Sequence, residues 1–104
     1  MYCLQNSKTL GRQGLINLPK KWRMQLGFYT GELVEVRMYN KAIWIRHAGN
    51  ANTENQRYIS AKGSITIPSE IRKLLKIKED TRLSFYVEPE EESFVLVPNR
   101  INEK

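Results

Sequence analysis

The residues in this chain with chemistry to offer are cations, and they are grouped. Lys8 and Arg12 lie on either side of a short run, and Lys20, Lys21 and Arg23 follow within a dozen positions. A strand pair and the start of a short helix would carry these ammonium and guanidinium groups to phosphates, with arginine able to read guanine edges. Lys62 sits in a second turn of similar composition. Groups for catalysis do not gather in the same way. The single histidine, His47, has no cysteine or carboxylate at ligand or triad spacing. It reads as a surface residue, and the chain reads as a binding protein that is not an enzyme, with no catalytic residue, metal or cofactor.

The distribution of charge supports that emphasis. The formal net charge is +6, and all of it falls in residues 1–52, where eight Lys/Arg face Glu32 and Glu35; residues 53–104 balance nine basic against nine acidic side chains. A basic half favours a polyanionic partner, because each neutralised phosphate releases condensed counterions. The single Cys3 excludes an internal disulfide and fits a reducing compartment. No apolar run nears the roughly 20 residues of a membrane span, and residues 1–6 do not resemble a secretory signal. A cytoplasmic location is expected.

The elements that must hold these cations are written twice. Gly14–Leu26 recurs 49 positions later as Gly63–Leu75, with Gly14/Gly63, Ile16/Ile65, Pro19/Pro68, Arg23/Arg72 and Leu26/Leu75 identical. Apolar character also persists at Leu18/Ile67, Trp22/Ile71, Phe28/Ile77, Val34/Leu83, Val36/Phe85 and Met38/Val87. With 104 residues, two independent cores would be marginal, so the copies are expected to share one. In each copy, short extended runs around a glycine turn predict a β-hairpin (2–10 with 15–18; 57–60 with 64–67). A proline then suits the first position of a helix over about 19–26 and 68–75. Trp22/Leu26 and Ile71/Leu75 mark the inner face of each helix, and Trp22 reads as core. Gly27 suits a left-handed cap, whereas Lys76 is a weaker stop. Alternating runs at 33–39 with 42–46 and at 82–87 with 93–97 predict a second hairpin in each copy. The result is β-β-α-β-β in residues 1–47, a polar linker at 48–56, the same unit at 57–98 and a tail at 99–104.

Ala61-Lys-Gly-Ser-Ile-Thr-Ile-Pro-Ser-Glu-Ile-Arg-Lys-Leu-Leu-Lys-Ile77 resembles the swapped-hairpin DNA-binding domains of the AbrB/MazE/SpoVT family. Gly14 to Phe28 keeps the glycine, proline, arginine and leucine of that pattern but has Lys21 in place of the helix glutamate. The resemblance covers roughly 8–46 and 57–97. It implies a mainly β fold with short helices, in which two units exchange hairpins to close one pseudo-symmetric, double-psi-like barrel. It further implies double-stranded DNA as partner, contacted at Lys8, Arg12 and Arg23 in copy one and at Arg57, Lys62, Arg72 and Lys73 in copy two. The position after the turn glycine, often arginine in DNA-binding members, is Leu15 and Ser64 here, and Lys20 and Lys21 are placed to compensate.

The expected function is that of a small transcriptional regulator, with an antitoxin-type autoregulator second because Asn99–Lys104 is short for a toxin-wrapping tail. The nearest alternative for Arg23 and Arg72 is a scaffold role, paired to Glu35 or Glu70. The repeats pair either within the chain or in a homodimer. If the chain acts alone, copy one is expected to grip DNA harder, so that Arg23→Ala weakens binding more than Arg72→Ala.

Overall fold

The computed structural model describes residues 1–4, 7–49 and 55–99; most of the 48–56 linker and of the 99–104 tail lies outside the described residues. The fold is mainly β with two short helices. In chain order the elements are β1 (Tyr2–Cys3), β2 (Lys8–Thr9), β3 (Leu15–Asn17), α1 (Lys20–Leu26), β4 (Leu33–Tyr39), β5 (Ala42–His47), β6 (Gln56–Tyr58), β7 (Ser64–Thr66), α2 (Ser69–Leu74), β8 (Arg82–Glu88) and β9 (Ser93–Pro98). Single 3-10 turns occupy Arg12–Gly14 and Pro89–Glu91.

The alternation of the longer strands produces the two hairpins that it predicts. β4 pairs with β5 through Asn40 and Lys41, both at positive φ (56° and 64°), as a tight two-residue hairpin turn requires. β8 pairs with β9 through the 3-10 turn and Glu92 at φ 50°. β5 and β9 then join the hairpins back to back, with Ile43 opposite Leu96 and Ile45 opposite Phe94. All four of these side chains have no exposed surface.

The leading hairpins form differently from the expectation. β2 pairs with β8 (Lys8 opposite Leu83), and β6 pairs with β4 (Arg57 opposite Val34). β3 and β7 pair with each other around Ile16 and Ile65. Within the first expected hairpin the strands share the bond from Gly11 N to Leu15 O (2.8 Å), and within the second the bond from Ser60 N to Ser64 O (2.9 Å). For β2 and β6 the reason is one of length: the edge of a seven-residue strand gives a two- or three-residue strand an existing ladder and apolar face. β3 and β7 instead pair through Ile16 and Ile65, both buried in the shared core. All pairings are antiparallel, in a seven-stranded sheet running β1-β8-β9-β5-β4-β6, with β2 on β8, and a separate β3–β7 ribbon.

Ile16, Leu18, Phe28, Val34, Val36, Ile65, Ile67, Leu83 and Phe85 form one shared core with the β5–β9 seam. Three positions depart from their expected places. Met38 is exposed while its counterpart Val87 is fully buried, opposite Tyr2 of β1. Trp22 packs on the core only in part and stacks on Tyr2, with centroids 6.2 Å apart. His47 is half-buried and not a plain surface residue: its ring lies flat on Phe28 (4.1 Å, 3°) and its Nε2 meets Leu26 O at 2.7 Å.

Both prolines sit one position before the helices and not inside them, since ψ is 131° at Pro19 and 140° at Pro68. Both helices end alike. Phe28 N donates to Arg23 O (2.8 Å) and Ile77 N to Arg72 O (2.9 Å), across residues at positive φ. In α1 that residue is Gly27; in α2 it is Lys76, at φ 57°. A side chain there costs about 1 kcal/mol that glycine avoids. The helix dipole returns only about 0.3–1 kcal/mol for a terminal cation, and Arg72 and Lys73 already occupy that last turn.

Candidate nucleic-acid interface

Two glycine turns organise the basic residues, and each is seated on a helix from the other half. Gly63 O accepts from Leu18 N (2.9 Å), and Gly14 O accepts from Ile67 N (2.8 Å), continuing the β3–β7 ladder to both ends. Above each glycine lies an arginine. A Cβ on Gly63 would come within 2.8 Å of Arg23 Cζ, and one on Gly14 within 2.9 Å of Arg72 Cζ. Both turn glycines have φ near +80°, where other residues are strained.

The arginines are tied down by carbonyl groups. Arg23 Nε donates to Leu18 O (3.2 Å) and Nη1 to Phe28 O (3.4 Å). Arg72 Nε donates to Ile67 O (3.0 Å). Arg23 is only 6% exposed, so in the free chain its guanidinium faces backbone carbonyls and little of it faces solvent. The carboxylate pairing expected of a scaffold role is not what holds either side chain; Glu35 instead approaches Arg37 at 3.8 Å. Arg72 is half-buried. Because no carboxylate neutralises them among the described residues, both still add positive potential at the turn–helix junctions. Arg23→Ala is expected to cost about 2–3 kcal/mol, since two carbonyls lose a charged donor. Urea denaturation measures this, and a loss under 1 kcal/mol would show that water replaces the guanidinium without penalty.

The remaining expected residues divide by exposure. Lys8 is half-buried with Nζ 5.7 Å from the centre of the Phe85 ring, and Arg57 is half-buried with Nη1 on Gln56 O (2.8 Å). Arg12, Lys20, Lys21, Lys62 and Lys73 are exposed. They assort across the halves and not within them. The bond between Gly63 and Leu18 ties the Lys62 turn to the chain just ahead of Lys20 and Lys21. The seat of Gly14 under Arg72 carries Arg12 to α2 and Lys73.

Sequence reasoning missed Asn17. It lies exposed on the ribbon opposite Ser64, and its amide nitrogen, in the orientation that satisfies both ends, donates to Lys62 O and Gly63 O, each at 3.2 Å. This links the Lys62 turn to β3. A short polar residue between two core positions gave no signal of that link. Among the described residues no three His, Cys, Asp or Glu side chains group as metal ligands, and no helix is long and apolar enough to cross a membrane.

Residues 56–104 match the family described as antidote-toxin recognition MazE, bacterial antitoxin. The matched stretch begins with β6 and includes the Lys62 turn, α2 and the β8–β9 hairpin. The solution structure of PHS018 from Pyrococcus horikoshii is similar in fold, with a TM-score of 0.52 and 20% sequence identity over 94% of each chain. No match is found among curated protein sequences.

Proposed function

We propose that the chain binds double-stranded DNA as a small transcriptional regulator, with two swapped-hairpin repeats closing one double-psi-like barrel within a single chain. The observation that carries this reading is the mutual seating of the two basic turns. Each brings exposed cations of one half to those of the other on a rigid base, in a chain whose residues 56–104 match a MazE-type domain. The exchange of β2 and β6 between hairpins supports the swapped arrangement. In this reading Arg12, Lys20, Lys21 and Lys62 hold phosphates, Lys73 extends the Arg12 side, and Arg23 and Arg72 hold the turns that present them. The chain acts by binding and catalyses no reaction.

The test is the salt dependence of duplex binding. Four phosphate contacts predict that log K falls with log salt at a slope of about −3.6, from roughly −0.9 per contact. Replacing Arg12, Lys20, Lys21 and Lys62 by glutamine is expected to remove most of that slope with the fold intact by circular dichroism. A folded variant that keeps its slope would remove these four residues from the interface. An antitoxin-type autoregulator is the second reading, favoured by the family description at 56–104. It shares this DNA face and adds a toxin-binding surface, so a chain that binds no duplex at low salt defeats both.

A further inference from the structure

Along α2 and the residues that follow it the chain forms a second basic feature. A cleft of about 540 Å³ is lined by Ser69, Arg72, Lys73, Lys76, Ile77 and Lys78, with no carboxylate in its wall. Glu79 lines the adjoining groove below Gly14 instead. Lys73, Lys76 and Lys78 are exposed, and none has an ion-pair partner among the described residues. Arg72 commits its Nε to Ile67 O, which holds the guanidinium at the cleft wall.

Lys76 is the informative residue. It occupies the left-handed position that α1 gives to Gly27, and the dipole that favours a cation there is already met by Arg72 and Lys73. Outside tight hairpin turns, strain of this kind clusters at functional sites. Four cations around one concavity, without a neutralising acid, repel one another until an anion enters, and ammonium groups are effective point charges for phosphate oxygens.

We propose that this cleft is a phosphate-binding site that takes an anion bearing two or more phosphate groups, beyond the contacts assigned above. The phosphates come either from a free polyphosphate-type ligand or from the backbone of bound nucleic acid. The second source alone rests on the DNA-binding reading.

Inorganic tripolyphosphate and a duplex are the two probes, titrated at low salt into the full chain and into Lys76→Gly, Lys78→Gln and Lys41→Gln. Lys76→Gly removes a cation while relieving backbone strain, so its melting temperature is expected to rise by about 5 °C while anion affinity falls about tenfold. Lys78→Gln is expected to lose a similar factor, and Lys41→Gln, on the β4–β5 turn, less than twofold. With a free ligand as source, tripolyphosphate binds 1:1 and shifts the amide resonances of Ser69 and Lys73. With nucleic acid as source, tripolyphosphate binds weakly and duplex affinity falls in both cleft variants. If the chain binds tripolyphosphate but no duplex, the DNA reading fails and the cleft stands. Unchanged affinity for both probes in Lys76→Gly and Lys78→Gln overturns the site, as does an equal loss in Lys41→Gln.

Discussion

Gly63→Ala is expected to lower stability by at least 3 kcal/mol, enough to unfold much of the protein at 37 °C when a domain of this size commonly has 5–15 kcal/mol in total. Two costs combine. The residue sits at φ +82°, where a side chain costs about 1 kcal/mol. The new methyl would also lie 2.7 Å from Arg23 Nη2 and 2.8 Å from its Nε and Cζ, so the guanidinium must leave. Arg23 cannot leave freely, because it is buried and serves Leu18 O and Phe28 O; each stranded carbonyl costs about 1–3 kcal/mol. Gly14→Ala meets Arg72 Nε at 2.5 Å and, more stubbornly, the backbone Ile67 O at 2.9 Å. A double-mutant cycle decides whether the contact is the cause. In an Arg23→Ala background the methyl has room, so Gly63→Ala should cost only the backbone strain, leaving a coupling of about 2 kcal/mol. Additive losses by urea denaturation would show that the arginine does not bear on the glycine.

How these contacts were foreshadowed differs from residue to residue. The identity of Gly14 with Gly63 and of Arg23 with Arg72 was plain in the sequence, but not that glycine of one copy lies under arginine of the other. Nothing local encodes that pairing: the partners lie 40 or more positions apart, and the β3–β7 ribbon that joins them forms between the two halves. The hairpins at 33–47 and 82–98 were legible because Val, Ile and Phe alternate there with period two. The helix starts were legible to within one residue from Pro19 and Pro68. The burial of Arg23 was not legible because charge suggests solvent, whereas its neighbours offer carbonyl groups that satisfy a buried guanidinium. His47 misled for a similar reason: only the folded chain brings the Phe28 ring and the Leu26 carbonyl to it.

Cutting the chain between residues 49 and 55 is expected to leave neither half as a folded monomer. Each half keeps its own long hairpin, but the strands that complete it belong to the other: β2 goes to β8, β6 to β4, β3 to β7, and β9 to β5. In residues 1–49 alone, Val34, Val36, Ile43 and Ile45, all without exposed surface in the whole chain, would lose the facing Phe85, Phe94 and Leu96. Burying an aliphatic side chain of this kind is worth about 1.5–3 kcal/mol, so the loss exceeds what a half of about 50 residues can spare. Mixed at equal concentration, the halves should recover the fold as a 1:1 complex, because every ladder between them remains available. The covalent link confers an effective concentration in the millimolar range. At 10 μM the split protein therefore gives up about 2.7 kcal/mol, the free energy of a hundredfold dilution, and its melting temperature becomes concentration-dependent. Sedimentation and circular dichroism of the separate and mixed halves make the measurement. A cooperative, monomeric unfolding transition in either half alone would mean that its core is complete without the other, and the exchange of strands would then be decoration on two independent domains.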